Sequence, residues 1–328
     1  MLDKYFQYKK NNTDFKTEVT AGVTTFLTMA YIMFLNPAIL SDGGFDFGAV
    51  FTATIIATAI ACFIMGFYGK TWPIGLAPGL GLNAFVAYVV CKGMGYSPDQ
   101  ALGAVLVAGV LFLLISVTPL RAWIINSIPK SLKLGIGCGI GLFLGIIGLS
   151  IMGVIGDHPV TLVTLGNIKE PIVLLACLAF VVMIVLEKLK VKGNIIIGIL
   201  VFSIIAWVSG LAKFNGVVGE IPPMTHLMTF DLRAALSASM ATIVFTLFFV
   251  DFFDTTGTLV SVANVAGKVD SKGRVQDIEK AMLADSVGTV AGAMVGTTTV
   301  TSFVESGAGV KAGGRTGMTS IVIGVLFL

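Results

Sequence analysis

TWPIGLAPGLGLNAFVAYVV, residues 71–90, is apolar and long enough to cross a bilayer, yet its first half cannot be a regular helix. Pro73 and Pro78 remove backbone donors and Gly75, Gly79 and Gly81 loosen the chain, which predicts a half-helix only from about Leu80 onward. A second segment breaks in a similar way. GTTTVTSFVESGAGVKAGG (296–314) opens on the β-branched run Thr297–Thr301, which favours an extended strand, and only its rear end suits a helix. Extended backbone at membrane depth survives only when buried in protein or lining a cavity, and two such strands can pair with each other.

The chain around these two segments is apolar throughout. Of its 328 residues 56% are hydrophobic and 12% charged, with mean hydropathy +0.96, against about 25% charge in a soluble domain. That excludes an ordinary soluble protein, and at ~20 residues per crossing it allows roughly ten spans. Apolar runs bounded by charge or by Pro and Gly place crossings near 19–40, 49–69, 72–91, 101–118, 133–153, 171–186, 194–211, 234–262, 278–296 and 297–311. An eleventh begins near Thr316 and stops at IVIGVLFL, which reads as a C-terminally incomplete chain. The first eighteen residues, MLDKYFQYKKNNTDFKTE, are polar and hold no signal-peptide core.

Charge supplies a check on the spans, because successive loops alternate sides and cytoplasmic loops collect Lys and Arg. With the N-terminus inside, Lys4, Lys9, Lys10, Lys16, Lys70, Arg121, Lys130, Lys133, Lys188, Lys190, Lys192, Lys268, Lys272, Arg274, Lys280, Lys311 and Arg315 are cytoplasmic. Only Lys92, Lys169, Lys213 and Arg233 fall outside. A miscounted span would scramble this alternation. The third and tenth crossings are seven spans apart, so a repeat relating them is inverted in the membrane. Spacing agrees: Asn36 to Asn83 is 47 residues and Asp254 to Glu305 is 51. Broken crossings in corresponding places of two halves point to a transporter's binding site.

Four carboxylates, Asp251, Asp254, Asp285 and Glu305, fall within the predicted spans away from their ends. An Asp at mid-bilayer costs about 2.5–3.5 kcal/mol on the insertion scale, so four together require a role. In FFVDFFDTTGTLV (248–260) the i, i+3 spacing puts Asp251 and Asp254 on one helical face, where two acids can bind a cation or share a proton. Glu305 stands where strand gives way to half-helix, and there its carboxylate, Ser306 and nearby N–H groups suit a polar heterocycle. No Lys or Arg lies at membrane depth opposite these acids, which argues against an anionic substrate. Phe85 and Phe303 flank the two breaks and offer stacking surfaces for a flat ligand, although aromatics in spans more often pack or face lipid.

Other features carry less. Gly137, Gly141 and Gly145, like Gly288, Gly292 and Gly296, have the small-xxx-small spacing of close helix packing. GLGLNA (79–84) lacks the βαβ context of a dinucleotide site, and no G-x-x-x-x-G-K-[ST] is present. Cys62, Cys91, Cys138 and Cys177 are scattered without a zinc-type spacing and read as small buried filler. No cofactor, metal site or catalytic residue is expected.

GVTTFLTMAYIMFLNP (22–37), APGLGLNAF (77–85), FVDFFDTTGTL (249–259), ADSVGT (284–289) and TTTVTSFVESGAGV (297–310) together resemble the nucleobase–cation symporter-2 (nucleobase/ascorbate transporter) family, in its purine permease branch. The resemblance runs the whole length. It implies an all-α polytopic fold of two inverted seven-span repeats, with short paired β-strands in broken spans 3 and 10. It also implies a core made of residues 1–118 (spans 1–4) and 233–328 (spans 8–10 and the start of 11), and a first gate half at 119–232 (spans 5–7), with the other gate half absent. By the same resemblance Asp254, Glu305 and Asn83 bind substrate, and Asp251 and Asp285 match further acids of the branch.

The expected function is proton symport of a purine nucleobase (hypoxanthine, guanine or adenine) across the cell membrane, by movement of core against gate. Asp251, Asp254, Asp285 and Glu305 are the candidates for proton coupling, with a proton favoured over sodium. Partners are the purine, the proton and the lipid bilayer; a homodimer stays open, and no nucleic acid is implied. Two rivals are weaker. An anion carrier of the same fold would not crowd four carboxylates around its site, and an intramembrane aspartyl protease needs a G-x-G-D turn that Phe249, Val250, Phe252 and Phe253 do not supply.

Overall fold

The computed structural model describes residues 2–118, 130–158, 161–189, 191, 193–213, 221–269 and 275–328. Arg121, Lys190, Lys192, Lys272 and Arg274, which enter the charge argument, lie outside the described residues. The chain divides into two compact units, Met1–Ile136 with Pro222–Leu328, and Gly137–Ile221.

In the first unit the chain forms α1 (Leu2–Phe6), α2 (Phe15–Met29), α3 (Ile32–Ser41) and α4 (Phe47–Ile64), the last prolonged by a π-helical stretch, Met65–Gly69. Strand β1 (Leu76–Pro78) follows, then α5 (Leu80–Ala84) running into π-helical Phe85–Gly93, then α6 (Pro98–Ser116). Helix α7 (Lys130–Ile151) leads into the second unit, which holds the hairpin β2 (Ile155–His158) and β3 (Leu162–Leu165) and the packed pair α8 (Pro171–Lys188) and α9 (Asn194–Val208). Back in the first unit come α10 (Leu232–Ala235), α11 (Ala241–Ala266), α12 (Ile278–Val295), β4 (Val300–Ser302), α13 (Ser306–Lys311) and α14 (Gly317–Phe327).

Local chemistry explains where helices start. Asp14 accepts from the Thr17 N–H and Asp46 from the Ala49 N–H, each capping the helix that follows. The Thr17 backbone N–H, and after it the Thr17 side chain, hold the exposed Asp14 carboxyl below its ordinary value. Ser97 and Gln100 form a reciprocal capping box with Pro98 in the first turn of α6. The packing then interleaves the two ends of the chain: α12 lies against α4 and α6, α14 against α2 and α4, and α11 against α6. Where α14 meets the end of α4 the backbones touch, and a Cβ on Gly317 would collide with the Gly66 carbonyl.

Five helical stretches among the described residues are long and apolar enough to cross a membrane: Phe15–Ser41, Phe47–Gly69, Pro98–Ser116, Pro171–Lys188 and Ala241–Ala266. Several boundaries differ from the sequence expectation. The first span is interrupted at Ala30 and Tyr31, where Met33 N–H reaches back only three residues to the Ala30 carbonyl and Pro37 downstream cannot donate. The eighth begins at Ala241, not 234, because the Ser237 hydroxyl bonds the Ala234 carbonyl and ends the short turn α10. The β2–β3 hairpin occupies what read as a loop. Cys62 and Cys91 are buried, but Cys138 is exposed and Cys177 half-buried, so small buried filler describes only two of the four.

Candidate functional site

Strands β1 and β4 pair antiparallel in the register Leu76 with Ser302, Ala77 with Thr301 and Pro78 with Val300. Two more backbone bonds lengthen the ladder at its ends, from Phe303 N–H to the Gly75 carbonyl and from Gly79 N–H to the Thr299 carbonyl, both 3.0 Å. Every strand residue is buried. Each broken segment thus satisfies the other's backbone, which is what allows extended chain inside an apolar fold. Ahead of the strand of the later segment, Thr297 accepts from the Asn36 amide and Thr298 donates to the Asn83 amide oxygen.

Those amides form a closed network. Asn36 Nδ2 donates to Thr54 Oγ1 at 2.7 Å and to Thr297 Oγ1 at 2.9 Å. Asn36 Oδ1 accepts from Asn83 Nδ2 at 2.5 Å, and Asn83 Oδ1 accepts from the Thr298 hydroxyl. All five residues are fully buried. The Asn83 carbonyl oxygen and one of its N–H groups are thereby committed to protein, which leaves a single N–H.

Exposure sorts the four acids into two pairs. Asp285 is 0% exposed and Asp251 1%, while Asp254 and Glu305 are half-buried. Asp285 accepts from Thr255 Oγ1 and from Ser302 Oγ, each at 2.7 Å, and so ties α11 and β4 to α12. Asp251 Oδ2 lies 3.0 Å from Thr289 Oγ1, and its Oδ1 has no partner among the described residues. The same Thr289 hydroxyl is 2.8 Å from the Val300 carbonyl. One hydroxyl hydrogen cannot serve both acceptors, so the two contacts coexist as hydrogen bonds only when the Asp251 carboxyl itself carries a proton.

Asp254 and Glu305 both keep part of their surface exposed. They project from α11 and from the start of α13, two elements in contact. Glu305 does not use its carboxylate to cap α13; its Oε1 accepts from the Tyr31 hydroxyl at 2.7 Å. Ser306 is fully buried and its Oγ accepts from the Gly75 N–H at 3.0 Å, which leaves its own hydrogen to donate. Phe303 is 6% exposed, and Phe85 is half-buried at the start of the π-helical stretch.

Two residues escaped the sequence reading. Tyr31, at the interruption of the first span, was one aromatic among many. Glu18 is a further buried acid, 0% exposed, whose carboxylate accepts from the N–H groups of Arg315, Thr316 and Thr319 and from Thr319 Oγ1 at 2.6 Å. Placing the first span from residue 19 left it in a loop. The signal was available, since Glu18 shares one helical stripe with buried Ala21, Gly22, Thr25 and Met29.

Residues 16–328 match the sequence profile of a permease family. Over 329 residues the chain is 40% identical to the adenine permease AdeP of Escherichia coli, covering 100% of this chain and 74% of that protein. It is 42% identical over 340 residues to the guanine/hypoxanthine permease PbuG of Bacillus subtilis, covering 100% of this chain and 77% of that protein. Among solved structures, the transmembrane domain of the cyanobacterial bicarbonate transporter BicA superposes with a TM-score of 0.66 at 18% identity, over 95% of this chain and 81% of that one. At that identity the likeness is one of fold.

Proposed function

The chain belongs to the permease family, in its nucleobase transporter lineage, and is a multi-pass membrane protein; from that premise we propose that it imports purine nucleobases by proton symport. The observation that carries this reading is the accessible acid pair, Asp254 and Glu305, beside the paired strands of two broken segments. A purine presents ring N–H groups along its edge, and two carboxylates with no described basic partner are acceptors for such groups. Relatives described as adenine and guanine/hypoxanthine permeases support the choice of purine.

In this proposal Asp254 and Glu305 accept from the ring N–H groups while Phe85 and Phe303 border its faces. The Ser306 hydrogen and the remaining Asn83 N–H add donors for ring nitrogens or a carbonyl. Asp251 carries the proton: when protonated it donates to Thr289 while Thr289 serves the Val300 carbonyl, and when ionised it takes the Thr289 hydrogen away from that carbonyl. Asp285, already holding two hydroxyl donors, keeps β4 in place. Fourteen spans in two inverted repeats, movement of a core against a gate, a cytoplasmic N-terminus and location in the cell membrane complete the proposal.

Radiolabelled uptake by the purified protein in proteoliposomes tests it. With an inward proton gradient, hypoxanthine, guanine or adenine should accumulate, and a protonophore should abolish accumulation. Uptake confined to uracil or to an anion such as bicarbonate would overturn the substrate class; a strict sodium requirement would overturn the coupling.

A further inference from the structure

Tyr31 belongs to the first span and Glu305 to the second broken segment, 274 residues later, yet the phenol donates to Glu305 Oε1 at 2.7 Å. Tyr31 sits at the interruption between α2 and α3, and α2 packs on α13, the helix that Glu305 precedes. Glu305 makes no capping bond, and Oε2 has no partner among the described residues. Both side chains keep partial exposure, in contrast to the fully buried amide network nearby.

A glutamate has three side-chain torsions, and a ligand that must order them itself binds more weakly. A hydroxyl bonded to one carboxylate oxygen is of the strong, charge-assisted class and fixes the plane of the group. Resting on the reading of Glu305 as the purine's acceptor, we propose that Tyr31 is a positioning residue of the binding site: its phenol holds Glu305 Oε1 so that Oε2 is presented to the ring N–H of a purine. Tyr31 acts through Glu305 and need not touch the ligand. The bond also joins the two sequence halves of the first unit at their interruptions, so any shift of α13 against α2 that stretches it also disturbs the acceptor.

The test is a double-mutant cycle read by calorimetric hypoxanthine binding to the purified protein. Tyr31→Phe keeps the ring and removes the donor; it should weaken binding about tenfold, which is ~1.4 kcal/mol, with the ligand-free unfolding temperature unchanged. In a Glu305→Gln background the same change should cost little more, since the carboxylate it positions is gone. Tyr31→His, which offers an N–H from a ring, should recover part of the affinity in the Glu305 parent. If Tyr31→Phe binds as tightly as the parent, or if its cost is undiminished beside Glu305→Gln, the positioning role is overturned while the purine reading stands. A parent that binds no purine overturns both.

Discussion

Asn83 Nδ2 donates to Asn36 Oδ1 at 2.5 Å, and through this bond the first broken segment is tied to α3, to α4 by way of Thr54, and to the second broken segment by way of Thr297. The network is fully buried, so apart from the one Asn83 N–H left for the purine its groups depend on partners inside the protein. Asn83→Ala leaves Asn36 Oδ1 and the Thr298 hydroxyl without theirs. Each orphan costs about 1–3 kcal/mol, so the ligand-free protein should unfold several degrees lower in a detergent thermal scan. An unchanged midpoint would show that the network does not hold the two broken segments together.

Glu305→Gln preserves size and hydrogen-bonding capacity and removes the charge. Loss of a charge-assisted bond costs ~1.5–3 kcal/mol, so hypoxanthine binding should weaken roughly ten- to a hundredfold at 1.4 kcal/mol per decade. Asp254→Ala deletes an acceptor and should abolish binding. Calorimetry on the purified protein reads both, and parental affinity in both variants would remove these acids from the site.

Asp251→Asn imitates a carboxyl that never gives up its proton. The amide can still donate to Thr289 Oγ1 while Thr289 serves the Val300 carbonyl, so folding should be preserved. Proton-driven accumulation of purine should disappear, yet exchange of labelled for unlabelled hypoxanthine across proteoliposomes should persist. Accumulation at the parental level would exclude Asp251 as the proton carrier.

Glu18 closes the front of α14 from α2, receiving donors from Arg315, Thr316 and Thr319. Removing it exposes a buried helix N-terminus to an apolar setting. Glu18→Ala should lower thermal stability and open the segment around Arg315 to protease, and Glu18→Gln should fall between that variant and the parent. Equal protease resistance in all three proteins would show that the cap contributes nothing.

The proposed sidedness is checked by single cysteines in a background lacking Cys62, Cys91, Cys138 and Cys177. A cysteine at exposed Asp42 should react with an impermeant thiol reagent applied outside, and one at Lys190 should not. The reverse pattern would invert the topology.

The sequence by itself determined where the chain can and cannot be helical. Pro78 and Gly79 stop regular backbone before α5 begins at Leu80, and Asp14, Asp46 and Ser97 start helices, because these effects act within one turn. It also brought Asp251, Asp254, Asp285 and Glu305 to notice, since a carboxylate in an apolar run stands out with no knowledge of its neighbours. Only the tertiary structure decided their environments. A helix turns about 300° in three residues, so Asp251 and Asp254 differ in direction by roughly 60°, enough for one to be fully buried against Thr289 and the other only half-buried. Tyr31 with Glu305, Asn36 with Thr297 and Glu18 with Thr319 are separated by 274, 261 and 301 residues. Helix propensity and hydrophobic period carry no record of which distant hydroxyl will meet which carboxylate; that follows from the packing of α2, α4, α12 and α14 into one unit.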